Sequence, residues 1–206
     1  MNRSATFTTT MSRVFWVAVG ACLHVCTAPL AAAEAAARPH AQNATVLSFG
    51  GVDYVHRWSK NNQNEFTPRN EADLAHWRNM ITVIVYDGVR NGDQLAGTAN
   101  SVLTMYQGNG QIVRTDSKPR TPQHPAEHLI VALLGSPGFL EAVFARFVLI
   151  DDVGIATVYS HRVYGEDAAN PMDEWLEANG PSIEKTLMAW DRIPLPDVLR
   201  RLPQSK

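Results

Sequence analysis

Short apolar runs separated by turn residues make up most of the chain after residue 44. Three of them, 46–49, 52–58 and 80–86, are rich in β-branched and aromatic residues, and each predicts a strand. The more polar run 111–116 predicts a strand near the edge of a sheet. A sheet is therefore expected to be the main element of the fold.

The apolar pattern is longest between residues 128 and 164. Residues 128–134 are apolar on both faces, which is typical of a strand inside a sheet. The runs 140–150 and 155–164 are joined by the turn residues 151–154, so they predict a hairpin with Gly154 in the left-handed conformation. Consecutive strands joined by tight turns predict an antiparallel meander.

Apolar residues recur at helical spacing over residues 93–107, which predicts an amphipathic helix. A further helix is predicted from Thr67 and Pro68, which suit the N-cap and the first helical position. The polar residues 59–64 before it predict a loop.

A C-terminal helix is predicted from Asn170 and Pro171, and Gly180 with Pro181 is expected to break or kink it. Together the runs give the order β-β-α-β-α-β-β-β-β-α. The helices must cover the sheet to bury its apolar faces. The predicted fold class is therefore α+β, an antiparallel β-sheet meander covered by helices.

This order of elements resembles the PsbP/MOG1-like fold, an α/β/α sandwich, over residues 44–190. The points of similarity are the helix 93–107 after an early strand, the meander 127–164 and the helix from Asn170. The resemblance implies an accessory or binding protein. It includes no residue motif, so it assigns no functional residue.

The first residues have the order of a secretory signal. Arg3 and Arg13 precede the apolar run 14–21, and small residues follow over 28–35. Cleavage is expected after Ala33. The predicted organisation is a signal peptide over 1–33, a linker over 34–43, one α+β domain over 44–192 and a Pro-rich tail over 193–206.

A second form of export stays open, because residues 19–22 resemble a lipobox that ends at Cys22. Lipidation of Cys22 would tether the domain to a membrane. The expected location is periplasmic or secreted, with a membrane-anchored lipoprotein as the alternative. No segment after residue 33 is apolar enough to span a bilayer.

Composition narrows the chemistry that the processed chain can perform. The only two cysteines, Cys22 and Cys26, lie in the predicted signal, so thiol catalysis and thiolate metal sites are not expected in the domain. The net charge of −2 gives no basic surplus for nucleic-acid binding. The histidines are scattered over strands and loops, and the sequence predicts neither a metal site nor a cofactor.

Two segments repeat the pattern Tyr-x-His-Arg, one ending at His56-Arg57 and the other at His161-Arg162. On a strand, the His shares a face with the Tyr while the Arg points to the opposite face. The pattern suits a site for an anion or a metal, or a general acid/base pair, but it also suits two amphipathic strands with polar tips at the surface.

Residues 56–66 combine cations, amides and two aromatic side chains, and these residue types anchor interfaces. The alternative is a solvated loop whose aromatics pack into the core. The candidate binding residues are His56, Arg57, Trp58, Lys60, Asn62, Phe66, His161 and Arg162.

The function expected from these observations is that of an exported, non-enzymatic accessory or binding protein. Its partner would be an envelope protein or a small polar ligand. Two alternatives stay open: a small exported hydrolase that uses His56 or His161 as general base, and a lipid-anchored envelope factor.

Overall fold

An eight-stranded antiparallel sheet with helices on both faces forms the domain in the computed structural model, which describes residues 45–206. Its strands lie in the order β1-β2-β3-β4-β8-β7-β6-β5. The predicted α+β class and the antiparallel meander are confirmed. The elements are β1 (Val46–Phe49), β2 (Val52–Lys60), β3 (Gln63–Pro68), β4 (Asn79–Tyr86), α1 (Gly92–Asn109), β5 (Gly110–Lys118), β6 (Glu127–Ser136), β7 (Phe139–Ile150), β8 (Val153–Tyr164), α2 (Ala169–Ala189) and α3 (Pro196–Arg200).

The strand register assigns each side chain to one of two faces, because directly paired residues point to the same side of a sheet. The face that packs against α2 is called the α2 face, and the opposite one the α1 face. On the α2 face, Met172 and Leu187 of α2 are fully buried. One row of paired residues on that face runs Phe66, Ile81, Tyr159, Phe144, Val131.

The α1 face carries a smaller core under α1. Leu95 and Ala99 of the helix pack against Ile130, Ala145 and Val158 of the sheet. The helix contacts β5, β6 and β7. Its predicted position is confirmed, and Asn91 caps it by accepting a hydrogen bond from the backbone N–H of Gln94 at 2.9 Å.

The predicted helix at Thr67 and Pro68 is wrong, because these residues end strand β3. Asn61 and Asn62 both adopt positive φ, at 51° and 64°, and they form a two-residue turn that returns the chain as a hairpin. The expected loop is thus reduced to a tight turn, and residues 63–66 alternate as a strand.

The hairpin between β7 and β8 is confirmed, but its left-handed residues are Asp151 and Asp152, with φ of 51° and 56°. Gly154 was expected in that conformation and does not adopt it. Its lack of a side chain serves close packing, since a Cβ on Gly154 would lie 2.6 Å from a Val89 methyl carbon.

The expected break at Gly180 and Pro181 does not occur, and α2 is continuous over 21 residues. Proline costs a helix interior about 3 kcal/mol. Met172 and Leu187 lie on either side of it and are both fully buried, so packing on the sheet offsets that cost.

A buried arginine fixes the end of α2 to the sheet. The Arg146 guanidinium donates to the backbone carbonyls of Leu187 at 2.8 Å and Trp190 at 2.7 Å. It also donates to the Glu127 carboxylate at 2.8 Å. The guanidinium therefore adds hydrogen bonds at the C-terminus of α2, where the Leu187 carbonyl also accepts from the Trp190 backbone N–H at 3.2 Å.

The C-terminal residues, expected to form a Pro-rich tail, pack on the α2 face as a short helix and a final segment. Leu199 and Leu202 are buried in the core of that face. The backbone N–H of Ser205 donates to the Ser59 carbonyl at 2.7 Å, which joins the C-terminus to β2. The segment is thus part of the fold.

Candidate functional site

Half of the α1 face is left without a helix in residues 45–206. The row Trp58, Glu65, Thr82 continues directly into Val158, Ala145 and Ile130, which belong to the core under α1. We call the part over β2, β3 and β4 the open half-face. Its side chains at or near the surface are Trp58, Lys60, Gln63, Glu65, Thr82 and Ile84.

A β-bulge at Arg57 places Trp58 on this surface. The register shifts between His56 and Trp58, so His56 lies opposite Phe66 on the α2 face while Trp58 lies opposite Glu65 on the α1 face. In a regular strand the two side chains would share one face.

The bulge is held by the Arg57 side chain. Its Nε donates to the Thr67 hydroxyl at 2.9 Å, and its terminal nitrogen donates to the Pro68 and Arg69 carbonyls at 3.1 and 3.2 Å. Arg57 therefore forms these hydrogen bonds within the domain, and by holding the bulge it positions its neighbour Trp58.

In the open half-face, polar side chains of β3 lie between Trp58 on β2 and Ile84 on β4. Trp58, Thr82 and Ile84 are half-buried, while Lys60 is exposed at the end of β2. Glu65 accepts a hydrogen bond from the Gln63 amide at 2.8 Å. Burial raises the pKa of the Glu65 carboxyl, which shows that this charge is already partly dehydrated.

Arg162 lies on the same face but is enclosed. Its guanidinium carbon is 3.9 Å from the centre of the Trp77 ring and 4.1 Å from that of Phe139. Its Nε donates to the Glu141 carboxylate at 2.8 Å. Arg162 is 7% exposed. Its guanidinium group therefore stabilises the border of the open half-face and is not accessible at the surface.

His56 takes part in a hydrogen-bond chain on the other face. Its Nε2 lies 2.7 Å from the Ser59 hydroxyl, which donates to the Asn64 side-chain oxygen at 2.7 Å. Because the Ser59 proton is given to Asn64, the imidazole is the donor to Ser59. Ser59 has no exposed surface, so a substrate could not reach its hydroxyl, and that hydroxyl donates its proton to Asn64 and not to the imidazole. The pair therefore lacks the arrangement of a nucleophile with its general base.

The second Tyr-x-His-Arg segment contributes to a buried polar cluster on the α2 face. The side-chain oxygen of Asn79 accepts from the Tyr159 hydroxyl and contacts Nδ1 of His161, each at 2.9 Å. The Asn79 amide donates to Glu71 at 3.1 Å, and the Trp175 indole stacks on His161. We call these five residues the Asn79 cluster.

Burial controls ionisation in the Asn79 cluster. It lowers the pKa of His161 from 6.5 to about 4, and it raises that of Tyr159 to about 12. Burial, with the neighbouring Tyr159 hydroxyl, also raises the pKa of Tyr54. The imidazole and both phenols are therefore neutral near pH 7, as expected for groups that stabilise the fold.

The two repeated segments do not meet as one site. Strands β3 and β4 separate β2 from β8, and the imidazoles of His56 and His161 join different hydrogen-bond networks. Phe66 has no exposed surface and lies in the core, edge-on to the His56 ring. Asn62 donates from the hairpin turn to Asp87 at 2.7 Å.

Trp58 and Lys60 are thus the predicted candidates that lie at the open half-face with accessible side chains. Sequence analysis missed Thr82 and Ile84 as members of this surface. The available signal was alternation in β4, where Ile81, Val83 and Val85 are buried and the residues between them are partly exposed.

Two further properties bear on function. Among residues 45–206, no group of three or more His, Asp or Glu side chains is arranged to hold a metal ion. In the same range, no helix has both the length and the apolar character needed to cross a bilayer.

Comparison with known proteins finds a resemblance at the level of structure. No family model and no curated protein matches the sequence. The Ran-binding protein Mog1p of Saccharomyces cerevisiae matches over 71% of this chain and 91% of its own, with 14% identity and a TM-score of 0.43. A protein of unknown function from Pseudomonas aeruginosa, PA94, matches over 73% and 98%, with 10% identity and a TM-score of 0.42.

A mutant of the protein Mog1 matches in the same way, over 71% of this chain and 92% of its own, with 12% identity and a TM-score of 0.44. These matches bear out the predicted resemblance to the MOG1-like group over part of the chain. With TM-scores below 0.5 they carry no statement about function.

Proposed function

We propose that this protein is an exported binding protein whose partner docks on the open half-face. The observation that carries the proposal is the continuous row from Trp58 to Ile130, of which α1 covers one half. A sheet face buries its apolar side chains against another layer. Over β2, β3 and β4 no described helix supplies that layer, and a partner would.

The chemistry of the surface favours a protein partner. Stable interfaces have an apolar, often aromatic centre and a polar rim. Trp58 and Ile84 supply apolar area on either side of the polar side chains of β3, and Lys60 lies at the end of β2, so the surface combines the apolar and polar groups that protein interfaces contain.

The hydrolase alternative has less support from the geometry. His56 contacts a fully buried serine that already donates its proton to Asn64. His161 is stacked under Trp175, and its low pKa makes it a weak base near pH 7. Both histidines serve the fold in this arrangement.

Export completes the proposal and rests on the sequence. The charged, apolar and small-residue order of residues 1–35 is that of a secretory signal. These residues lie outside the described part of the chain. Lipidation at Cys22, also outside that part, would place the same binding surface at a membrane.

A pair of matched Thr→Arg substitutions tests the docking surface. Thr82→Arg places a long cation at the centre of the open half-face, beside Glu65, which can pair with it and preserve the fold. Thr104→Arg places the same side chain on the exposed side of α1. Both tagged proteins are used to capture partners from the cell-envelope fraction.

The proposal expects a protein retained by wild type and Thr104→Arg and lost with Thr82→Arg, at unchanged melting temperatures. Equal capture by all three proteins would contradict docking on this face. A substrate turned over by wild type and by Thr82→Arg would favour an enzyme instead.

A further inference from the structure

Strand β5 forms one end of the sheet and presents a long exposed edge. Within residues 45–206, β6 is the only strand paired with it. Eight of its nine residues are exposed, the exception being the half-buried Ile112. An edge with free N–H and C=O groups is a template for another strand.

Charges of opposite sign alternate along this edge on one face. Arg114 pairs with Val131 and Asp116 with Leu129, so both side chains point to the α2 face. Their own ion pair, at 2.9 Å, is exposed, since the two side chains keep 55% and 52% of their accessible surface. Arg114 also lies 3.6 Å from the Glu184 carboxylate of α2, but both charges of the pair stay about half exposed and can face a neighbouring strand.

We propose that β5 pairs antiparallel with β5 of a second copy of this chain, centred on Thr115. A two-fold axis perpendicular to the sheet through Thr115 places Arg114 of each copy directly opposite Asp116 of the other. Opposite charges facing each other across antiparallel strands stabilise the pairing. The two sheets then join into one.

Charge selects this register over its neighbours. An axis through Asp116 places that carboxylate opposite itself and Arg114 opposite Lys118. An axis through Arg114 places two guanidinium groups face to face. Both arrangements oppose like charges, which destabilise a strand pair. An axis between residues would oppose side chains from different faces of the sheet.

The association is weak and reversible. A β-bulge at Val113 interrupts the edge, and the axis places Ser117 and Lys118 opposite the bulged segment of the other copy, so regular pairing is limited to Arg114–Asp116. Pairing at β5 leaves β2–β4 at the far ends of the joined sheet. Both open half-faces then lie on one side of the dimer, which would increase the avidity for a partner with repeated surfaces. The dimer itself does not depend on any partner.

Two charge reversals test the pairing in a way that separates it from an effect within one chain. Arg114→Asp opposes two acidic residues across the axis, and Asp116→Arg opposes two basic ones. An equimolar mixture of the variants restores opposite charges only between different chains. Sedimentation velocity of the purified protein over a concentration series measures the association. Arg69→Asp is the control, because Arg69 lies at the other end of the sheet in an exposed pair with Asp53.

The proposal expects wild type and Arg69→Asp to dimerise with rising concentration, each β5 variant to stay monomeric, and the mixture to regain a dimer. Raised salt should weaken the wild-type dimer. Each of three results would overturn the proposal: a wild-type protein that stays monomeric throughout, a β5 variant that still dimerises, or a mixture that stays monomeric. Circular dichroism checks that the variants are folded.

Discussion

The indole of Trp175 lies parallel to the imidazole of His161, with ring centres 3.8 Å apart and an angle of 2° between the planes. Trp175 belongs to α2 and His161 to β8, so the contact joins the helix to the sheet. The Asn79 side-chain oxygen contacts Nδ1 at the edge of the imidazole at 2.9 Å. This enclosure lowers the pKa of His161 to about 4.

The first prediction is that the domain loses stability as the pH falls from about 6.5 towards 4. In this range the unfolded chain binds a proton at His161 and the folded chain does not. The free energy of unfolding therefore decreases as the pH decreases. Burial lowers the pKa of His56 and His128 as well, and these residues act in the same direction. One such proton changes stability by about 1.4 kcal/mol per pH unit. Urea unfolding at several pH values measures the slope.

The variant His161→Gln identifies the residue responsible. It keeps a donor for Asn79 but cannot titrate, so its stability should depend less steeply on pH in this window, whatever its absolute value. Equal slopes for wild type and variant would show that His161 is not protected from protonation.

The second prediction concerns the arginine that binds the end of α2. Arg146→Met leaves the Trp190 carbonyl without its donor and takes one donor each from the Leu187 carbonyl, which keeps the Trp190 N–H, and from the Glu127 carboxylate, which keeps Lys118. Removing one partner of a buried pair costs about 3–5 kcal/mol. Arg69→Met, which removes an exposed pair with Asp53 at 3.7 Å, should cost less than about 1 kcal/mol.

Chemical denaturation and hydrogen exchange measure both effects. Amides near Leu187 should exchange faster in Arg146→Met than in wild type. Similar stability of the two variants would mean that Arg146 is dispensable for holding α2.

The third prediction is that the C-terminal segment is part of the folding unit. Leu199 is 1% exposed and its neighbour Val198 is 44% exposed, so the two positions form a matched pair. Leu199→Ala should cost about 2–5 kcal/mol through the cavity that it leaves. Val198→Ala should stay within about 0.5 kcal/mol of wild type. A negligible cost at Leu199 would show that the segment is detached in solution.

The fourth prediction is processing of the N-terminus. The mature protein isolated from its host should begin near Glu34, because the small residues before it form the expected cleavage site. Intact-mass analysis reads this directly. A diacylated N-terminal Cys22 would replace simple secretion with lipidation, and an uncleaved cytoplasmic protein would exclude both forms of export.

The sequence predicted the elements with strong periodicity. Helix α1 and the hairpin of β7 and β8 lie where their apolar patterns place them. The helix predicted at Thr67 failed because N-cap and proline signals are local, whereas Phe66 is fully buried between β2 and β4. Pro181 lies within a continuous helix for a similar reason, since distant packing outweighs a local penalty.

The proposed binding surface was less predictable than the fold. The sequence singled out residues 56–66, and Trp58 does lie at the open half-face. It could not show the bulge at Arg57, which places His56 and Trp58 on opposite faces. Nor could it show that Thr82 would lie beside Glu65, because that depends on strand order and register.

The most direct test of the binding surface compares Trp58→Ala with Met105→Ala, both measured for melting temperature and for the Kd of the captured partner. Met105 is 53% exposed on α1 and serves as a matched apolar control. The account predicts that Trp58→Ala weakens binding by about 2 kcal/mol or more, about 30-fold in Kd, at a nearly unchanged melting temperature, while Met105→Ala changes neither. A lower melting temperature for Trp58→Ala with an unchanged Kd would show that Trp58 supports the fold and that the partner binds elsewhere.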